Sequence, residues 1–129
     1  MDQPSTRPLL DKLGVKPTHR IALIGAFDAD FVEQLRARGA SVSRRIVRDA
    51  DQIYLSAKSK ADLRRIASLR KSMSKAGTFW LIRPKGPTTV VTEDATRQAG
   101  LDAGLVDVKV VAFSPTHSAM KFVYRLADR

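Results

Sequence analysis

The sequence predicts a three-layer α/β domain, a sheet of about six strands flanked by helices and closed by an antiparallel hairpin. Three observations predict it. Arg20-Ile-Ala-Leu-Ile-Gly25 is an uninterrupted apolar run ended by glycine, as in a central parallel strand buried on both faces. Phe31, Val32 and Leu35 follow at helical spacing and Gly39 stops them. The same alternation continues until two alternating runs, Val106 to Phe113 and Ala119 to Leu126, flank Ser114-Pro-Thr-His-Ser118, the pattern of a hairpin.

The elements follow in order. Residues up to Ser5 are expected to be disordered, and 6–129 to form one domain. Thr6 to Leu13 reads as a short helix closed by Gly14. Ile21 to Ile24 is the first strand, and Asp28 the N-cap of the helix after it. Ser41 to Val47, of mixed polarity, reads as an edge strand. Only Arg48-Asp-Ala-Asp51 separates it from the next run, Gln52 to Ala57, whereas a parallel crossover takes about a dozen residues. The two strands are therefore expected either to pair antiparallel or to lie on opposite sides of the first. Ser59 to Lys75 reads as one helix capped by Ser59, with Leu63, Ile66, Leu69 and Met73 buried. Thr78 to Arg83 is an apolar strand, and Thr92 caps a helix to Ala103. In the hairpin, Val106, Val108 and Val110 are expected to face the core opposite Met120, Phe122 and Tyr124.

At 129 residues the chain can bury a core without cross-links, and it has no cysteine, so disulfides and thiolate metal sites are excluded. No apolar run approaches the roughly 18 residues of a membrane span, and Met1-Asp-Gln-Pro4 does not resemble a signal peptide. A soluble, cytoplasmic protein is expected. The net charge of +10 lies entirely in the centre: 14 bases face three acids between Arg36 and Lys85. Such a block suits polyanionic partners, though arginine-rich composition alone also produces it.

The architecture is similar to the class I methyltransferase-like Rossmann fold, shortened by one strand and its two flanking helices. The likeness rests on Ile21 to Gly25, on Lys75-Ala-Gly-Thr-Phe-Trp80 as a strand entry, and on the hairpin. In such sheets ligands sit beyond the carboxyl ends of the strands. Three segments should meet there: Gly25-Ala-Phe-Asp28, Ser56-Ala-Lys-Ser59 and Arg83-Pro-Lys-Gly86. Gly25, Ala26 and Phe27 would form the floor, with Ser56 also binding; Arg83 and Lys85, with Pro84 between them and Lys58 as auxiliary, would hold a phosphate or carboxylate. An adenosylmethionine site fits poorly. Its glycines reduce to Gly25, Phe27 crowds the crevice, and Arg48 stands where an acid should end the second strand. No cofactor and no metal is expected: His19 and His117 lie far apart, without neighbouring carboxylates, and read as turn histidines. On a helical wheel Lys60, Arg64, Lys71 and Lys75 fall within about 60°, a ridge that could follow phosphates.

From Leu13 to Tyr124 the chain also resembles a small bacterial family known only as a domain of unknown function. The residues are Leu13-Gly-Val-Lys-Pro17, Arg20 to Gly25, Asp49-Ala-Asp51, Gly77-Thr-Phe-Trp80 with Arg83-Pro-Lys85, and Thr92-Glu-Asp94. The tail carries it most strongly, in Ala103 to Val110 and in Thr116-His-Ser-Ala-Met-Lys-Phe122. Members typically carry Trp where His117 stands, and the resemblance implies no established activity. It draws attention to Asp107, Lys109, Thr116, Ser118 and Lys121, which packing does not require. Asp107 and Lys109 would share a strand face, as in a cross-strand ion pair.

The leading expectation is a non-catalytic domain that binds an anionic small molecule or acidic partner at the strand ends. Unspecific nucleic-acid binding through the basic ridge is the rival, and a degenerate or minimal methyltransferase-like enzyme the third.

Overall fold

A computed structural model describes residues 8–129; the expected disorder up to Ser5 lies outside them. The elements are α1 (Leu9–Lys12), β1 (Arg20–Ile24), α2 (Ala29–Ala37), β2 (Ser41–Ser43), β3 (Ala50–Ser56), α3 (Lys60–Leu63), α4 (Ile66–Leu69), β4 (Met73–Pro84), α5 (Glu93–Asp102), β5 (Leu105–Ala112) and β6 (His117–Tyr124). The six strands form one sheet in the order β2-β1-β3-β4-β6-β5. β1 pairs parallel with β2 and β3, β3 parallel with β4, and β6 runs antiparallel between β4 and β5.

Side chains alternate along each strand into two cores. Ile53, Leu55, Phe79, Leu81, Met120 and Phe122 pack with residues of α3, α4 and α5 on one face. Ile21, Leu23, Tyr54, Trp80 and Ile82 pack with those of α1 and α2 on the other. On the second face the carbonyl of Leu13, left free at the end of α1, accepts from Gln52 Nε2 at 2.7 Å and Trp80 Nε1 at 3.2 Å, and the Tyr54 hydroxyl donates to Gln52 Oε1 at 2.7 Å. These buried polar groups are thus satisfied by one another. On the first face the Phe122 ring occupies the space beside α5 that a β-carbon on Gly100 would need, 2.0 Å from Phe122 Cε1.

The second expected arrangement of β2 and β3 is the one adopted: they flank β1, both parallel to it. The connection from 44 to 49 bends at 44–45 and turns at 48–49. It carries half-buried Val47 onto the first core and ends at Asp49 with φ of 55°, a conformation that Asp tolerates better than most residues.

Two expectations are corrected. The helix from Ser59 to Lys75 is interrupted. Ser59 caps α3 as expected, its Oγ accepting from Asp62 N, but the chain turns at Arg64-Arg65, resumes as α4 and tightens into a 3-10 turn over Arg70–Ser72. Met73 is already extended and paired with Ala50. Leu63, Ile66, Leu69 and Met73 are buried nonetheless, so their burial did not require one continuous helix. The Tyr124 hydroxyl donates to the carbonyl of Arg70 and lies 3.3 Å from that of Met73, supplying partners that further helical turns would have given.

The hairpin's inward valines are the second correction. The pairing shifts between Asp107↔Phe122 and Lys109↔Lys121, leaving Val108 as an extra residue on β5. Val108 and Val110 are exposed, and Leu105 supplies the buried contact opposite Tyr124. Asp107 and Lys109 consequently point to opposite faces. Asp107 meets Arg97 of α5 at 3.0 Å rather than Lys109.

Candidate functional site at the strand ends

β1, β3 and β4 end together beside the turn of the β5–β6 hairpin, and a cleft of about 240 Å³ opens there. Ala26, Phe27 and Asp28 come from the turn after β1, Ser56 from the end of β3, and Ile82 from β4. Phe113, Ser114, Thr116 and His117 of the hairpin complete the wall. Gly25 stands behind it. With φ of 102° it turns the chain sharply, and a β-carbon there would lie 3.0 Å from the Ser56 carbonyl oxygen. The bare glycine thus lets β1 close on β3 and offers no cradle for a ligand.

Aromatic rings bound one side. Phe27 stacks on Phe31 at 5.8 Å and meets Tyr54 and Phe113 edge-on at 6.4 and 6.3 Å, while Phe31 meets Phe113 at 5.0 Å. Burial raises the Tyr54 hydroxyl well above its ordinary pKa, so that group stays a neutral donor. Behind Phe27, Arg44 Nη2 donates to the carbonyl of Gly25 at 2.6 Å, with its guanidinium carbon 6.0 Å from the Phe27 ring centre.

The polar groups come mostly from the hairpin turn. Ser114 Oγ accepts from the amides of Thr116 and His117 at 3.2 and 3.1 Å. Thr116 Oγ1 lies 2.8 Å from His117 Nδ1 and 3.3 Å from Ser114 Oγ, a short hydroxyl chain ending on the imidazole. Asp28 takes the N-cap position of α2, yet its side chain makes no capping hydrogen bond. It and His117 are the titratable groups on the cleft wall.

Ala26, Phe27 and Ser56 line the cleft, whereas Lys58, Arg83 and Lys85 do not. Arg83 lies on the opposite face of β4 from Ile82. Its Nη1 is 3.4 Å from the carbonyls of Pro84 and Val91, and its Nη2 is 3.8 Å from Glu93, so it braces the loop into α5. Lys58 and Lys85 are exposed, tied through their backbone amides to Asp62 and to the Thr116 carbonyl; Pro84 pairs with His117 across the sheet. The basic ridge loses its single helical face: Lys60 belongs to α3, Arg64 to a turn, Lys71 to the 3-10 turn, and Lys75 to β4, with its ammonium 5.2 Å from the Tyr124 ring centre. Asp28 and His117 were assigned from sequence to a cap and a turn. The Thr116-His117-Ser118 motif was the signal pointing to this wall.

The comparisons agree with this architecture. No family model and no curated protein matches the sequence. Solved structures do. A SAM-dependent methyltransferase from Aquifex aeolicus superposes with a TM-score of 0.68 at 14% identity, over 88% of this chain and 86% of that one. The fold is methyltransferase-like. Precorrin-6y C5,15-methyltransferase of Geobacter metallireducens gives 0.58 at 13% identity, covering 91% and 86%. Burkholderia thailandensis 1,6-didemethyltoxoflavin-N1-methyltransferase, solved with S-adenosylhomocysteine, gives 0.64 at 10%, covering 88% and 73%. These neighbours are enzymes, and they overturn the expectation of a non-catalytic binder.

Adenosylmethionine itself does not fit the residues present. Gly25 is filled by its contact with Ser56, Phe27 occupies the crevice, and β2 ends at Ser43 so that Arg44, rather than Arg48, stands beside the end of β1. A cleft of about 240 Å³ is also below the roughly 300–1,000 Å³ of ordinary ligand pockets. Among the described residues no group of His, Cys, Asp or Glu is arranged to hold a metal, and no helix is long and apolar enough to cross a membrane.

Proposed function

We propose that the chain is a minimal methyltransferase-like enzyme whose reaction centre is the strand-end cleft, and that it acts by proton transfer on a compact polar small molecule. One observation carries this reading: the cleft lies where open α/β sheets take their ligands, and its wall holds a carboxylate that makes no capping bond and an imidazole that the hairpin turn engages through Nδ1. Thr116 engages Nδ1 of His117 and holds the ring in place, leaving Nε2 to exchange a proton with the ligand. Asp28 is the acceptor for a donor group on the same ligand. Phe27, Ile82 and Phe113 exclude water from one side, which strengthens both polar contacts. No step runs through adenosylmethionine.

The test is a metabolite screen by thermal shift, with hits followed by mass spectrometry for turnover and by amide chemical shifts for location. Hits should perturb 26–28, 56 and 113–117, and His117→Gln or Asp28→Asn should cut turnover by at least about tenfold with the fold intact. Turnover indifferent to both changes, or binding confined to another surface, overturns the proposal.

A further inference from the structure

The tail lysines singled out by sequence are absorbed neither by the fold nor by the cleft. Lys109 of β5 and Lys121 of β6 are directly opposite in the antiparallel register. Side chains so placed have β-carbons about 5 Å apart, and like charges there are destabilising. The bulge produces the confrontation. Continuing the register from Asp107↔Phe122 without it would set Val108 against Lys121; the extra residue brings Lys109 there instead.

Among the described residues nothing relieves the pair. Asp107, the carboxylate closest in sequence, points to the other face and is held by Arg97. No ion pair among the described residues includes either lysine. On its other side Lys121 is paired with fully buried Trp80. Burial first, and the Lys109 charge second, lower the Lys121 ammonium below its ordinary pKa. An irregularity in the sheet, a like-charge pair and a partly desolvated ammonium thus coincide at one place, and a bound anion would relieve both electrostatic costs.

We infer that Lys109 and Lys121 form an oxyanion site on the β5–β6 face, and that it takes a phosphate group bridging the two ammoniums. The phosphate is either free or the end of a small phosphate monoester. Lysines suit this role as point charges, needing none of the bidentate geometry that arginine imposes. The site is separate from the cleft and stands whether or not the proposed activity does.

Melting temperatures in sodium phosphate, in glycerol 3-phosphate and in sodium chloride of equal ionic strength test it. Wild-type protein should gain roughly 4 °C over chloride when the anion is tenfold above its dissociation constant. Lys109→Gln, at an exposed position, should lose that gain, and in chloride alone should melt at or above the wild-type temperature because the like-charge contact is gone. Response to orthophosphate but not to the monoester identifies the free ion as occupant; response to both identifies the phosphate group. An equal gain in wild type and Lys109→Gln, or a gain no larger than chloride gives, overturns the site. In the same titration the amides of 109 and 121 should shift; shifts confined elsewhere also overturn it.

Discussion

The Phe27 ring stands edge-on to that of Phe113, centroids 6.3 Å apart, and this contact ties the turn after β1 to the turn of the terminal hairpin. It fixes how far the two walls of the strand-end cleft can separate. Phe31 and Tyr54 hold the pair from beneath, at 5.0 Å from Phe113 and 6.4 Å from Phe27 respectively.

Phe27→Ala should therefore cost about 2 kcal/mol in urea unfolding, less than a fully buried phenylalanine because this ring is only half-buried. Arg44 and the Gly25–Ser56 contact remain in the variant. Calorimetric titration with S-adenosylhomocysteine should accordingly give no heat of binding for wild type or variant. Tight binding by the wild type would overturn the mismatch between this crevice and that group.

Gly100→Ala tests the other face. A helix interior ordinarily gains about 1 kcal/mol from this change. Here the new β-carbon would fall 2.0 Å from Phe122 Cε1, on a ring that is fully buried. Overpacking should outweigh propensity and leave a net loss of about 2–3 kcal/mol. The double change with Phe122→Leu should recover part of it, and additivity of the two losses would show the contact to be irrelevant.

The sheet was largely legible in the sequence because its signals are local. The apolar run at Ile21 to Ile24, the Thr92 cap and the terminal hairpin each specify themselves within a few residues. What was hidden depends on pairing between distant segments. Met73 continues a helical pattern perfectly, and only its pairing with Ala50 makes it a strand residue. Val108 alternates correctly, and only the bulge against β6 turns it out. The strand-end cleft was partly legible for the same reason. Position beyond the strand ends follows from fold class, and Ala26, Phe27 and Ser56 line the cleft there. The side of β4 that Arg83 takes, and the Val91 carbonyl it meets there, are tertiary facts.

Tyr124→Phe isolates the break after α4. The hydroxyl donates to the carbonyl of Arg70 and lies 3.3 Å from that of Met73, and it is the phenol, not the ring, that supplies this partner. Its removal leaves polar groups of a tight turn short of a donor and should cost about 1–2 kcal/mol by chemical denaturation. Amide exchange should rise at 70–75 before it rises in β1 or β3. Unchanged stability would mean that water replaces the hydroxyl without loss.

Asp62 sets an acid dependence at the start of α3. Its carboxylate accepts from the amide of Lys58 at 2.8 Å, while Ser59 Oγ accepts from the amide of Asp62 at 3.1 Å, a variant of the capping box. The Lys58 amide is the main cause holding this carboxyl below its ordinary pKa, with the Ser59 contacts and Arg65 adding to it and burial opposing. A carboxyl depressed in the folded state binds fewer protons there than in the unfolded chain. Its contribution is therefore complete above the unfolded value, about 3.9, and disappears as pH falls through the lower folded value. Asp62→Asn should be less stable than wild type at pH 7, with the gap narrowing as pH drops below about 4. Urea midpoints of the two proteins measured across that range check it, and a gap that stays constant or widens in acid would assign the loss to packing rather than to charge.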